Sequence, residues 1–564
     1  MKYNLLNLLF FLLLLNISFC KSKIKKNILI IIFPGGQHKN IYMISLLDFS
    51  INNNEEYDFN YDIIIHISEK QIWENSLINN KNKQKYNLYT YGSISDAIEK
   101  YDLDDLPKQN LFKFYQLKLR LYNQDFLDSD IITSLKESRK KYSLLITDRP
   151  NYISIICSKE LLIENKMYLS LRPFPQLFYQ EKLFVNSGFI PTLGSEFTNL
   201  LTFKERCTNF YNFLSERILN FLSNYEIKYL YNAYDYIYVN TNNYFYNNTI
   251  ILIQYPIFLT YPISFPPHII PINPITLPYN YSISNIEKEI NIKEIEEFLK
   301  LFKNNFILSK EILHQIEYNT LTKIVSKMNG IGFIYLYDTE ERNINKEINN
   351  LIVLDYKKYK FDSYEKVLYY LLKKNNICGI ITNSNFNEII LSIYYSKPVI
   401  SFGNGIYQQN IKSYIKKNSI GLIINNDDIN NYLAYIEAIN KIKNNDDEEF
   451  DDILNNIYKI QCKKLSELLK LDRKNPGEEF NKWLNYGMKN KYDDLRIFFY
   501  ENNNFFVINN LDIITISIII ILISSYLLFI FLKQLFCPIC CFCCCGKSSK
   551  KEKIINDKNK IKKD

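Results

Sequence analysis

Glycine is scarce in this chain, 14 of 564 residues, where a usual share is roughly 7%. Scarcity of glycine bears on any site where backbone approaches a phosphate, because a side chain then fills space that glycine leaves open. A dominant charge is also lacking: 68 Lys and Arg against 60 Asp and Glu give a net +8. Eight lysines against three acidic residues fall after Gly546, so much of the excess is a terminal tail, which argues against nucleic acid as the main partner. Cysteine is sparse outside one cluster. Cys157, Cys207, Cys378 and Cys462 are too scattered to define a disulfide framework. With 47% hydrophobic residues over this length, a disulfide-held miniprotein and a disordered tail are both excluded.

Apart from the amino-terminal leader, long uncharged apolar runs are lacking too, with one exception. Ile513 to Leu532 carries no charge over 20 residues, enough for a helix to cross roughly 30 Å of hydrocarbon. One span disfavours a transporter or channel. Residues 1–20 combine Lys2 with a short apolar run and read as a removable signal peptide. Lys533, Lys547, Lys550, Lys551 and Lys553 follow the apolar run, so the positive-inside rule puts the C-terminus in the cytosol and the bulk of the chain in the lumen. Lys560 and Lys562 stand at the spacing of a K-x-K-x-x retrieval signal. The expected location is therefore the endoplasmic reticulum membrane, single-pass and type I. Cys537, Cys540, Cys541, Cys543, Cys544 and Cys545 sit beside the span, where palmitoylation or free thiols are simpler than a zinc cage. Asn247-Asn-Thr249 and Asn280-Tyr-Ser282 are lumenal glycosylation sequons.

Between these ends, strand-like runs alternate with segments of helical spacing, the pattern of parallel sheets covered by helices. The runs are 28–33, 61–67, 142–147, 250–254, 332–337, 377–382 and 398–402. Seven prolines between Pro256 and Pro278 exclude a helix there and mark an interdomain crossing. The expected organisation is a signal peptide (1–20), a first α/β domain (21–255), a linker (256–284), a second α/β domain (285–470) and a membrane-proximal return (471–512). A spanning helix (513–532) and a cytosolic tail (533–564) follow. Helical character is expected over Asn285 to Asn304. Two α/β halves favour a ligand in the cleft at the carboxyl ends of their strands.

The first run ends in Phe33-Pro34-Gly35-Gly36-Gln37-His38, which puts one of only four histidines at the mouth of the first β-α turn. Imidazole is suited to taking a proton from a hydroxyl near neutral pH, and a carboxylate partner would orient it. Asp148 follows the run 142–147 and precedes Arg149-Pro150, so it also lies at a strand's carboxyl end. A loop histidine and a helix-capping aspartate are the alternative reading.

Several segments, in order, resemble the UDP-glucuronosyltransferase and UDP-glycosyltransferase family. They are His38 after the first strand, Thr147-Asp148-Arg-Pro150, Phe189-Ile-Pro191-Thr-Leu-Gly-Ser195 with Phe197 to Phe203 and Glu205-Arg206, Leu471-Asp-Arg473, and Asn510-Leu-Asp512-Ile513 leading into the apolar run. The resemblance implies the GT-B architecture, two Rossmann-like domains facing a cleft, plus a C-terminal transmembrane helix. It implies that His38 and Asp148 form a catalytic dyad, that a UDP-sugar is co-substrate, and that transfer proceeds with inversion and with neither metal nor other cofactor.

The donor half departs from the family's pattern of T-H-G-G-x-x-S/G-x-x-E-A, then G-x-P, then D-Q. This chain has Thr382-Asn383-Ser384-Asn385, with Leu391 at the glutamate, then Ser396-Lys397-Pro398, then Tyr407-Gln408. The resemblance makes Asn383, Ser384, Asn385, Glu388 and Gln408 the donor-binding candidates, with Glu388 replacing the ribose carboxylate from one turn earlier and Lys397 adding charge for the pyrophosphate. Either these groups still hold UDP and the protein is a hexosyltransferase, or the donor half has lost the nucleotide and the chain is a membrane-anchored lipophile-binding or partner-binding protein. Phe174, Phe178, Tyr179, Phe184 and Phe189 either line a pocket for a small lipophilic acceptor or pack a core. A homo-oligomer is left open.

Overall fold

The computed structural model describes residues 23–33, 37–92, 125–148, 152–173, 190–215, 248–277, 293–337, 348–355, 364–443, 457–495 and 511–544, with short interruptions. Residues 1–20, expected as a signal peptide, the residues beyond 544, Asn247 and Asn280, and the aromatic run 174–189 lie outside the described residues.

In the first strand, β1 (Ile24–Ile32), Ile28, Ile30 and Ile32 point to one buried cluster, while Leu29 and Ile31 point to another. Both faces are covered, which is why the run reads as continuous isoleucine rather than as an apolar-polar alternation. With β2 (Tyr57–His66), β3 (Tyr86–Tyr91), β4 (Tyr142–Thr147), β5 (Lys166–Ser170), β6 (Thr249–Gln254) and β7 (Ile269–Ile272) it forms a seven-stranded sheet of order β3-β2-β1-β4-β5-β6-β7. Every pairing in it is parallel. The second sheet holds β8 (Asn304–Leu308), β9 (Ile331–Tyr337), β10 (Leu351–Asp355), β11 (Ile377–Thr382), β12 (Val399–Ser401) and β13 (Gly421–Ile423). It is also parallel, ordered β10-β9-β8-β11-β12-β13. Strand order reverses at β1/β4 and at β8/β11, and the carboxyl ends of those pairs are where an open α/β sheet forms a crevice.

Helices cover both faces of both sheets. Gln37–Asn53 and Pro476–Lys489 bury Met43, Leu47, Phe480 and Leu484 against one face of the first sheet. The C-terminal return thus packs on the first half: the Asn54 amide donates to Asn481 Oδ1 at 2.9 Å and to Asn485 Oδ1 at 2.6 Å. One apolar cluster continues from the other face of the first sheet, through Ile153 and Tyr255, to Ile380 and Ile390 of the second half. Helix Ile406–Asn418 also joins the halves: Asn410 accepts from Gly194 N–H at 2.6 Å and donates to Thr192 O, and Tyr414 OH donates to Pro173 O at 3.1 Å.

Two sequence expectations are corrected here. The proline-rich stretch is not only a crossing, because Ile269–Ile272 within it is β7, so the first sheet runs past residue 255. Pro271 is tolerated because β7 is an edge strand and its missing N–H costs no internal ladder bond. Of the helix expected over 285–304, Lys293–Leu301 is observed and Asn304 already opens β8, while residues 285–292 lie outside the described residues.

Residues 497–564 form a separate unit, of which the described residues are the helix Leu511–Cys544, 34 residues long. Most described side chains from Ile516 to Leu532 are exposed. Side chains are described there at 515–516 and 518–532; among the described residues no helix is long and apolar enough to cross a membrane.

Candidate functional site

At the first switch point, β4 ends in Thr147 and the next residue, Asp148, turns its carboxylate to β1. Asp148 Oδ1 accepts from Phe33 N–H at 3.3 Å. Phe33 is the last described residue before the turn that opens helix Gln37–Asn53, whose second residue is His38. The fold therefore brings His38 and Asp148 to adjacent strand ends; the His38 side chain lies outside the described residues. A second histidine stands nearby at the end of β2, one that sequence reading passed over. His66 is fully buried, and its Nδ1 accepts from Ser68 N–H at 3.2 Å. Its Nε2 lies 3.6 Å from Asp125 Oδ2. Burial holds its pKa below the usual imidazole value, with Asp125 opposing, and the Nδ1 acceptor role fixes a neutral ring. His66 is thereby committed to its own turn.

At the second switch point the donor-motif residues converge around Gly403, which has φ +113°. A Cβ there would come within 2.5 Å of Gln408 Oε1 and 3.0 Å of Asn383 O, so this glycine lets two sequence-distant segments meet. Gln408 Oε1 accepts from Gly405 N–H at 2.7 Å and caps helix Ile406–Asn418. Ser384 adopts φ +66°, the left-handed conformation in which a Cβ costs about 1 kcal/mol. Its hydroxyl offsets that strain through Ser401 Oγ at 2.7 Å and Phe402 O at 2.5 Å. Asn383 is buried beside it. Asn385 is the N-cap of helix Phe386–Tyr394, with its side chain accepting from Asn387 N–H at 3.0 Å.

Two donor-site expectations are corrected. Glu388 does not present its carboxylate as a ribose acceptor, since it is 2% exposed and its oxygens face inward. Oε1 accepts from Ser309 Oγ at 2.9 Å and Tyr364 OH at 2.6 Å, and Oε2 accepts from Thr382 Oγ1. In the first turn of its helix it ties together the ends of β8 and β11. Ser309, Tyr364 and Lys310, whose Nζ lies 5.4 Å from the Tyr364 ring centre, were not singled out by sequence reading; the only available signal was that Ser309 ends an apolar run.

Lys397 stands at the wrong end of the sheet for a phosphate. Its Nζ donates to Ile377 O at 2.7 Å and Lys374 O at 3.0 Å, at the amino end of β11, whereas the cradle begins after Thr382, roughly 17 Å along the strand. Burial pulls its pKa down to about 8, with Cys378 partly opposing. A depressed ammonium pKa means the folded chain binds fewer protons than the unfolded one between about pH 8 and the ordinary lysine value near 10.5, so stability rises with pH across that window and is lost as pH falls through 8. Unfolding midpoints of the parent and Lys397→Met measured across it should show this rise flattened in the variant; parallel curves would remove Lys397 as the cause.

Cys157, Cys207, Cys378 and Cys462 form no disulfide among the described residues. No group of three or more His, Cys, Asp or Glu among the described residues could hold a metal ion.

The two parallel sheets and their switch points are the GT-B arrangement. Residues 21–290 match the family described as UDP-glucoronosyl and UDP-glucosyl transferase. Over that region the chain is similar to this family of UDP-sugar transferases. Among solved structures it is similar in fold to a UDP-glucosyltransferase from Polygonum tinctorium, at 12% identity and a TM-score of 0.53 over 84% of this chain and 100% of that one. It is also similar to the glycotransferase of kitacinnamycin, at 9% identity and a TM-score of 0.52 over 83% and 100%. No curated protein sequence matches.

Proposed function

We propose that the protein transfers a hexosyl or glucuronosyl group from a UDP-sugar to a hydroxyl of a small lipophilic acceptor, with inversion and without a metal. The observation that carries this reading is the bond from Phe33 N–H to Asp148 Oδ1, which sets the carboxylate beside the turn that delivers His38. In the mechanism, His38 takes the acceptor proton, Asp148 stabilises the imidazolium, and the acceptor oxygen displaces UDP from the anomeric carbon. The amino end of helix Phe386–Tyr394, with Asn383 and the backbone at Ser384, receives the negative charge of the departing pyrophosphate. Gln408, packed on Gly403 beside Asn383, is the residue assigned to the sugar in this reading.

The single membrane span in this reading rests on the sequence, whose uncharged run from Ile513 to Leu532 would, as a helix rising about 1.5 Å per residue, reach across the hydrocarbon. Anchoring favours acceptors that partition into lipid. With the leader and the lysine-bearing tail, it supports a type I endoplasmic reticulum protein.

One observation favours the second reading, a lipophile-binding or partner-binding protein without transfer. Asn385 caps the helix terminus that would hold the phosphate, and its own N–H donates to Thr382 Oγ1 at 3.3 Å. Calorimetry of UDP with the full chain in detergent separates the two. Saturable binding in the parent, lost in Asn383→Trp because the indole fills the cradle, is the expected result; a parent that takes up no UDP would leave the second reading.

A further inference from the structure

The helix that carries His38 is joined to the donor half by side chains that no part of the mechanism above uses. Tyr42 is four residues beyond His38 and so lies on the same face of helix Gln37–Asn53, one turn along. It is buried, and its OH donates to Glu365 Oε1 at 3.3 Å, across 323 residues of sequence. Glu365 is the second residue of helix Tyr364–Leu372 in the second half. Its chain neighbour Tyr364 donates to Glu388 at 2.6 Å, and Glu388 accepts from Ser309 and Thr382 at the ends of β8 and β11. Two consecutive residues in one helical turn thus touch the helix of the base and the floor of the donor crevice.

We infer that Tyr42 and Glu365 are positioning residues: their contact fixes the His38 helix over the donor half, and Tyr364 ties that contact to the donor switch point. The inference rests on the transferase reading for its kinetic consequence, though not for the contact itself. A base must stand within hydrogen-bond reach of the proton it removes, and a displacement of about 1 Å is enough to lower turnover by about 10²-fold. A single hydrogen bond of this length from a hydroxyl to a carboxylate shifts the helix by less than that, so a loss of roughly 10-fold is expected when its donor is removed.

The test uses the full chain in detergent, with UDP-glucose or UDP-glucuronic acid as donor and umbelliferone as the probe acceptor. Tyr42→Phe removes only the hydroxyl. It should lower kcat roughly 10-fold while the KM for the donor and the calorimetric Kd for UDP stay at parent values. Glu365→Leu should give a similar loss, the double variant no further loss, and Glu365→Gln, which keeps a carbonyl acceptor, should recover most of the activity. Independent losses that multiply in the double variant, or an unchanged kcat, would overturn the inference. A second readout needs no turnover: with imidazole carbons labelled, the His38 resonance should move in Tyr42→Phe while that of His66 stays in place. If the parent neither binds UDP nor turns over, yet the His38 signal responds, the transferase reading falls and the positioning contact stands. If the parent is active and the His38 signal and kcat both ignore Tyr42, the contact is structural only and the inference fails.

Discussion

Replacing His38 by alanine lowers kcat by about 10³-fold and leaves the calorimetric Kd for UDP unchanged. General-base catalysis by a positioned imidazole contributes roughly 10²- to 10⁴-fold, and nothing else described at the first switch point can take over the task. His66, the nearest histidine along the sheet ends, has Nδ1 engaged by Ser68 N–H and lies fully buried. Binding of UDP should survive because the nucleotide cradle belongs to the second sheet. Asp148→Asn is the companion variant. Its side-chain carbonyl still accepts from Phe33 N–H, so the strand end keeps its shape, while the charge that stabilises an imidazolium is gone; a loss of about 10²-fold is expected. Full activity of the His38→Ala protein would sink the mechanism.

Glu388→Leu lowers the free energy of unfolding by about 3 to 5 kcal/mol, the range seen when one partner of a buried charged network is removed. Three hydroxyls, on Ser309, Tyr364 and Thr382, direct hydrogen bonds at this carboxylate, and each loses its acceptor in the variant. A leucine of similar reach fills the space without accepting any of them. Glu388→Gln retains one carbonyl acceptor and should cost about half as much. The same pair reports on the donor crevice. Glu388 is the third residue of helix Phe386–Tyr394, so a carboxylate there lowers the positive potential at the helix's amino end. Removing the charge without removing the shape should tighten UDP binding severalfold in Glu388→Gln. Denaturant midpoints and UDP titrations on the same preparations measure both effects; a Glu388→Leu chain as stable as the parent would show that the network contributes little.

Much of the first half was legible in the sequence. Runs such as Ile28 to Phe33 and Tyr142 to Thr147 are read as buried strands because composition, length and the flanking turn residues agree. Shorter strands were not separable by that logic. The Lys166–Ser170 strand is buried at every position yet opens on a lysine, and Ile269–Ile272 contains a proline that argues against a strand until its edge position is known. In the donor half, motif spacing put Asn383, Ser384 and Gln408 in one crevice, and Gly403 is the residue that lets them meet. Spacing misplaced two groups. Glu388 was placed by helical periodicity on the ligand's side, but periodicity gives a residue's angle around the helix and says nothing about which neighbour occupies that side. Lys397 was placed by its nearness in sequence to a proline of the motif, while its long side chain runs to the opposite end of β11.

What the sequence by itself determined was local and periodic: alternating α/β elements, His38 and Asp148 at the ends of apolar strands, a proline-marked junction and a carboxy-terminal run of 20 uncharged residues. Those features follow from side-chain type over short windows, where the backbone repeat fixes which residues share a face. The tertiary structure alone decided that Glu388 is an internal acceptor for three hydroxyls, that Lys397 lies half-buried away from the cradle, and that Tyr42 reaches Glu365 across 323 residues. These depend on strand register and on the packing of distant helices, which set what each polar group finds once water has been removed from around it.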